Sequence, residues 1–276
     1  MQNNQMTQKI GFIGGGNMAQ ALITGMCQRG FSVADITVIE LDAARRETLK
    51  HTLGVQTSDD LTTLKQANVI VLAVKPQQLK AVTNALKPNL NQQLIISIAA
   101  GIRLSDISRW LGNYTNIIRA MPNTPAQIQA GITGLCAMAG VSKTHIQTAD
   151  HILNAVGNTV WVDDEVQLDA ITAISGSGPA YVFYMIEALQ DAAVRLGLSV
   201  DAAEKLSKAT FKGASLLADV STENIATLRA QVTSKGGTTE QGILSLEQAG
   251  LKHMIANAAK AAANRAKTLG DELGAD

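Results

Sequence analysis

Seven short apolar, β-branched runs, spaced by segments of helical period, occupy the first 165 residues and then stop. They are KIGFIG (9–14), ITVIE (36–40), VIVLAV (69–74), LIISIAA (94–100), NIIRAM (116–121), GITGLCAM (131–138) and TVWVD (159–163). Between several of them lie stretches such as NMAQALITGMCQRG, in which apolar residues recur at three and four and a glycine ends the run. A strand with one wet face alternates apolar and polar residues. Runs that stay apolar need cover on both faces, which parallel strands joined by crossover helices provide. The expected fold class is therefore α/β, with a doubly wound, mostly parallel sheet over residues 1–165. An all-helical C-terminal domain follows over 166–276.

The first run leads into GFIGGGNMA, which places Gly14, Gly16 and Ala19 in a G-x-G-x-x-A arrangement after a strand and at the start of a helix. Gly14 permits the tight turn, Gly16 lets the backbone approach a pyrophosphate, and Ala19 lets helix and strand pack closely. Together with Gly15, Asn17 and Met18 they define a Rossmann-type dinucleotide site, with the phosphate charge at the helix N-terminus. The second run ends on Glu40, where an acidic residue of an NAD site bonds the ribose 2′-OH. A 2′-phosphate meeting that carboxylate costs about 4 kcal/mol per charge pair at 4 Å and an effective dielectric of 20. Arg45 and Arg46 follow closely. They compensate a phosphate if turned inward, and otherwise lie on an exposed helix face. NADPH and NADH are both candidate cofactors, and Glu40 favours NADH being accepted at least as well as NADPH.

Composition removes other classes. Lys plus Arg and Asp plus Glu each number 23, with no run of like charge, so neither a nucleic-acid footprint nor a polybasic membrane patch is present. A small-molecule substrate is the expected partner, with no nucleic acid and no membrane. Cys27 and Cys136 are isolated from each other and from His51, His145, His151 and His253, so no metal site is expected and the thiols read as buried and reduced. The opening MQNNQMTQK lacks the apolar core of a signal peptide, and the expected location is the cytoplasm.

After residue 165 only helical periods remain. In SGSGPAYVFYMIEAL, Pro179 suits the first helical turn, and the first half of the helix is apolar on nearly every side. A helical domain of roughly 110 residues has a limited interior to bury such a helix, so a partner subunit is expected to cover it.

Five further motifs, AVKP (73–76), SIAAG (97–101), MPNTP (121–125), SGSGPAY (175–181) and TSKGGTT (233–239), occur in the order in which they resemble the pyrroline-5-carboxylate reductase family. The resemblance implies NAD(P)H-dependent reduction of Δ1-pyrroline-5-carboxylate to L-proline, with a Rossmann domain joined to a helical dimerisation domain, as a homodimer or a larger ring of dimers. It implies that Ala73, Val74, Lys75 and Pro76, with Ala99, Ala100 and Gly101, border the cofactor ribose and nicotinamide. Asn123, in a turn stiffened by Pro122 and Pro125, is implied as an amide partner. Two departures stand out. Lys235 replaces the proline of the family's S-P-G-G-x-T, and Glu40 stands where many members carry a neutral residue.

The substrate so implied carries a carboxylate and a cyclic imine. Solvent can protonate the imine, so no strong acid is needed; positioning alone is worth roughly 7–11 kcal/mol. Gly236 and Gly237 expose N–H groups at a helix start, where an anion is favoured. Ser234 and Thr238 add donors to the carboxylate, and Thr239 is implied as the partner of the ring nitrogen. On the residues alone, Ser, Thr and Gly at a helix start also read as plain N-caps. Two rivals remain open. One is a β-hydroxyacid dehydrogenase, although the long helix lacks that class's lysine; the other is a non-enzymatic NAD(P)-sensing module.

Overall fold

A computed structural model gives the structure of residues 8–275. The strands are β1 (Ile10–Ile13), β2 (Ile36–Ile39), β3 (Gln56–Ser58), β4 (Val69–Leu72), β5 (Leu94–Ser97), β6 (Ile117–Met121), β7 (Gly131–Ala137) and β8 (Gly157–Trp161). Among them lie α1 (Asn17–Gln28), α2 (Ala43–Leu53), α3 (Pro76–Leu86), α4 (Leu104–Trp110) and α5 (Lys143–Leu153). After the sheet come α6 (Gln167–Ile171), α7 (Gly178–Arg195), α8 (Val200–Val220), α9 (Ile225–Gln231), α10 (Thr238–Gln248) and α11 (Leu251–Gly274).

All seven apolar runs form strands. They lie in one eight-stranded sheet of order β3-β2-β1-β4-β5-β6-β7-β8, parallel except where β7 runs antiparallel to β6. The first six strands follow the 3-2-1-4-5-6 order of doubly wound dinucleotide folds. Burial explains why the runs are apolar throughout. Ile10 and Phe12, Val69 and Val71, Leu94 and Ile96 serve the core on one face, which α1 and α5 cover. Ile13, Ile70, Leu72 and Ile95 serve the other, under α3 and α4. Leu22, Ile23 and Met26 of α1 are fully buried, each worth about 1.5–3 kcal/mol relative to exposure. The additional strand, β3, is a three-residue edge of sequence QTS, without an apolar face.

The chain divides into two compact units. One runs to Ser177 and resumes at Ala262; the other is Gly178–Ala261. The loss of strands near 165 therefore does not coincide with the change of unit, because α6 and the turn after it stay with the sheet. Leu168 of α6 is fully buried in the second core face. The last part of α11 also returns to this unit. Gly270 lies so close to Gly101 that a Cβ on it would sit 2.5 Å from the Gly101 carbonyl oxygen. Asp271 pairs with Arg103 and pushes that guanidinium's pKa upward, against a smaller opposing effect of burial. The Arg109 guanidinium donates to the carbonyl oxygen of Gly274 at 2.6 Å.

Between α6 and α7, residues Thr172–Gly176 form a π-helical turn, closed by the Ser177 N–H donating to the Thr172 carbonyl at 2.8 Å. In the helical unit α7 has no buried residue, and Phe183 and Tyr184 are 65% and 73% exposed. Among the described residues no helix is long and apolar enough to cross a membrane. The polar opening stretch lies mostly outside the described residues.

Candidate functional site

The glycine-rich loop sits where the strand order reverses, with β2 and β4 flanking β1, at the carboxyl ends of the strands. Backbone bonds lock these ends together: Gly14 N–H to the Ile39 carbonyl and Ala73 N–H to the Ile13 carbonyl, both 2.8 Å, and Glu40 N–H to the Ser58 carbonyl at 2.9 Å. Gly14 has φ +99°, and a Cβ there would lie 2.8 Å from the Ala73 carbonyl oxygen. Glycine is required on both counts. Gly16, the N-cap of α1, has no atom within 4 Å of a built Cβ and no side-chain cap, so its open side and the first N–H groups of α1, those of Asn17 and Met18 included, form a cradle that a pyrophosphate fits. Ala19 is fully buried at the helix-to-strand contact.

Glu40 lies beside this loop, its side chain 12% exposed. Its Oε2 accepts from Gly15 N–H and its Oε1 from Asp42 N–H, each at 3.2 Å. Arg45, 54% exposed, reaches Oε2 at 3.5 Å. Arg46 folds back to donate to the carbonyl oxygens of Glu40 and Leu41, at 2.7 and 3.0 Å, and pairs with Asp59 at 3.1 Å.

Two further loops flank the strand ends. Ala73 and Val74 line the Gly14 turn; Lys75 is exposed at the N-cap of α3, and Pro76 occupies the first turn, where its missing N–H costs nothing. Ala99 is buried, Ala100 half-buried, and Gly101 adopts φ +82° under the close approach of α11. Just beyond, the Leu104 N–H donates to Glu165 Oε1 at 2.8 Å. The same carboxylate receives the buried Arg119 guanidinium at 2.8 Å, and Asp169 stands 3.6 Å from it. Burial pushes up the thiol pKa of Cys136, paired with Arg119 across β6 and β7, and the Glu165 charge adds to the shift. Cys27 is raised by burial alone.

The Asn123 carboxamide bonds within the protein at both its nitrogen and its oxygen. Its Nδ2 donates to the Ser175 carbonyl at 3.1 Å, and its Oδ1 accepts from Ile132 N–H at 3.0 Å. The cause lies in the sequence: a helical carbonyl at 175 would receive the N–H of residue 179, and residue 179 is proline. Asn123 supplies the missing donor.

In the helical unit the 233–239 segment leads into α10, whose N-cap is Gly237, without a side-chain cap. Ser234 and Thr238 do not cap the helix. Ser234 instead shapes the turn: its carbonyl accepts from Gly237 N–H at 3.0 Å, and any Cβ on Gly237 would strike its Oγ. Gly236, at φ +74°, donates its N–H to Glu240 Oε2 at 2.7 Å. The two glycine N–H groups expected to hold an anion are thus engaged, and the helix start itself, at Thr238 and Thr239, is the uncapped end. Thr238 and Thr239 are exposed. Glu240, three residues after the N-cap, is a participant that sequence reasoning passed over; an acid in the first helical turn was its signal. Among the described residues no group of His, Cys, Asp and Glu is placed to hold a metal.

Strand order, an open glycine cradle and a β2 acid define the class: this is an NAD(P)-dependent oxidoreductase on a doubly wound dinucleotide fold. Family models agree on both parts of the chain, one described as NADP oxidoreductase coenzyme F420-dependent over residues 9–101, the other as pyrroline-5-carboxylate reductase dimerisation over 165–269. A pyrroline-5-carboxylate reductase of Pseudomonas aeruginosa is 42% identical over 97% of this chain and 99% of its own length. Among solved structures, a pyrroline-5-carboxylate reductase from Coxiella burnetii superposes with TM-score 0.91 at 44% identity, covering 95% of this chain and 98% of that one. That of Plasmodium falciparum, with NADP bound, gives 0.84 at 31% identity, over 95% and 98%. The chain belongs to the pyrroline-5-carboxylate reductase family.

Proposed function

We propose that this protein reduces the cyclic imine Δ1-pyrroline-5-carboxylate to L-proline, the last step of proline biosynthesis, with NADPH or NADH. The observation that carries the reading beyond family membership is the α10 start: a glycine N-cap with no side chain over it, in a turn that requires glycine at 236 and 237. Such an end favours an anion, here the substrate carboxylate, by the partial positive charge of its free N–H groups. Ser234 and Thr238 add hydroxyl donors, Gly236 and Gly237 shape the turn, and the Thr239 hydroxyl bonds the ring nitrogen.

The Gly14–Met18 cradle would hold the pyrophosphate of the reduced cofactor, whose nicotinamide would supply a hydride. The 73–76 and 99–101 loops border the cofactor, and Asn123 holds the MPNTP turn in place. No residue of the 234–239 segment is a strong acid, which suits an imine that takes its proton from water. The apolar first half of α7, exposed in the single chain, supports burial against a second copy, as a homodimer or a ring of dimers.

Incubating the protein with pyrroline-5-carboxylate and NADPH, and following loss of cofactor absorbance, tests the reading; no turnover would overturn it. Thr239→Val lowers kcat/KM by roughly ten- to a thousandfold, the range for loss of one transition-state donor, with the circular-dichroism spectrum unchanged. Light scattering at micromolar concentration gives a dimer or larger; a monomer removes the oligomer.

A further inference from the structure

We propose that Glu40 makes this protein select the cofactor without a 2′-phosphate, so that it binds NADH more tightly than NADPH. The inference rests on the cofactor site proposed above and concerns one residue of it.

An acid at the end of β2 excludes a phosphate only if it cannot turn away, and this one is held at both oxygens. Oε2 takes the Gly15 N–H and Oε1 the Asp42 N–H, and the side chain is mostly buried. Rotation would break both bonds and strip Gly15, in the phosphate-binding loop, of its acceptor. A carboxylate offers about four acceptor positions. The two backbone N–H groups and Arg45 use three, and the fourth suits a ribose hydroxyl, which donates. A phosphate oxygen has nothing to donate.

The nearby cations do not reverse this. Arg46 is committed to two carbonyl oxygens and to Asp59, leaving it 19% exposed. Arg45 faces Glu40 itself. Asp42 is also close, its carboxylate capping α2 through the N–H groups of Ala44 and Arg45. Each guanidinium is thus already paired with a carboxylate, Arg45 with Glu40 and Arg46 with Asp59, Asp42 adds a third acid nearby in sequence, and a phosphate would add about 1.5–2 further negative charges.

Dissociation constants for NADH and NADPH, measured by isothermal titration calorimetry on the wild type and Glu40→Gln without substrate, test this. The wild type should bind NADH about tenfold or more tighter than NADPH, and Glu40→Gln should bring the two within about threefold, chiefly by tightening NADPH. The proposal falls if wild-type NADPH binds as tightly as NADH, or if Glu40→Gln weakens both equally and leaves their ratio unchanged, which would make Glu40 a loop tie only. A protein that binds neither cofactor loses the cofactor site and this inference with it, whereas one that prefers NADPH loses this inference alone.

Discussion

The helices α1 and α10 each have a glycine N-cap with no side-chain cap, and they are held in opposite ways. The start of α1, at Gly16, is fixed by distant parts of the chain: Ala73 closes against Gly14, and Glu40 reaches across to Gly15. The start of α10, at Gly237, is fixed by its neighbours: Ser234 receives the Gly237 N–H and Glu240 the Gly236 N–H, all within seven residues. One loop takes its rigidity from the sheet. The other makes its own from a turn and a capping carboxylate, which also answers how Lys235 can stand in place of a stiffening proline. A loop built locally responds to local changes and ignores distant ones.

The largest test of that contrast is Arg119→Met. It leaves Glu165 and Asp169 without their buried partner and should destabilise the cofactor-binding unit by about 3–5 kcal/mol, measured by urea unfolding. Gly14→Ala comes next: a strained φ and a Cβ pressed on the Ala73 carbonyl should cost about 2–4 kcal/mol together. Gly236→Ala, also at positive φ but with no atom within 4 Å of the new Cβ, should cost only about 1–2 kcal/mol. Equal penalties at Gly14 and Gly236 would end the comparison. The smallest effect belongs to Glu240→Ala, about 0.5–1.5 kcal/mol for one lost hydrogen bond, with a rise in KM for the imine and unchanged cofactor affinity. A parallel loss of cofactor affinity would show that the loop is not locally controlled.

What the sequence disclosed follows the same division. Continuous apolar runs announce strands buried on both faces, and the spacing of Gly14, Gly16 and Ala19 announces the cradle, because these signals lie within a few residues. β3 was silent because QTS at a sheet edge needs no apolar pattern. The return of Gly270 and Asp271 to the Gly101 loop was silent because it joins positions about 170 residues apart, and α11 reads as an ordinary amphipathic helix. Asn123 drew attention through its place in MPNTP, but the bond of its carboxamide to a carbonyl 52 residues on was not legible there. At the α10 start the glycines were legible, but the acceptors of their N–H groups were not, since a glycine-rich string does not reveal which donors stay free.

Pro179 and Asn123 form a mutually compensating pair. Restore an N–H at position 179, and the carbonyl at 175 has a helical donor while the Asn123 Nδ2 is released, its Oδ1 still accepting from Ile132 N–H. Remove the amide with proline in place, and the carbonyl oxygen at 175 is stranded. Loss of the amide therefore costs less with an N–H at 179 than with proline there, the difference being the bond to the 175 carbonyl, while Ile132 N–H loses its acceptor in both cases.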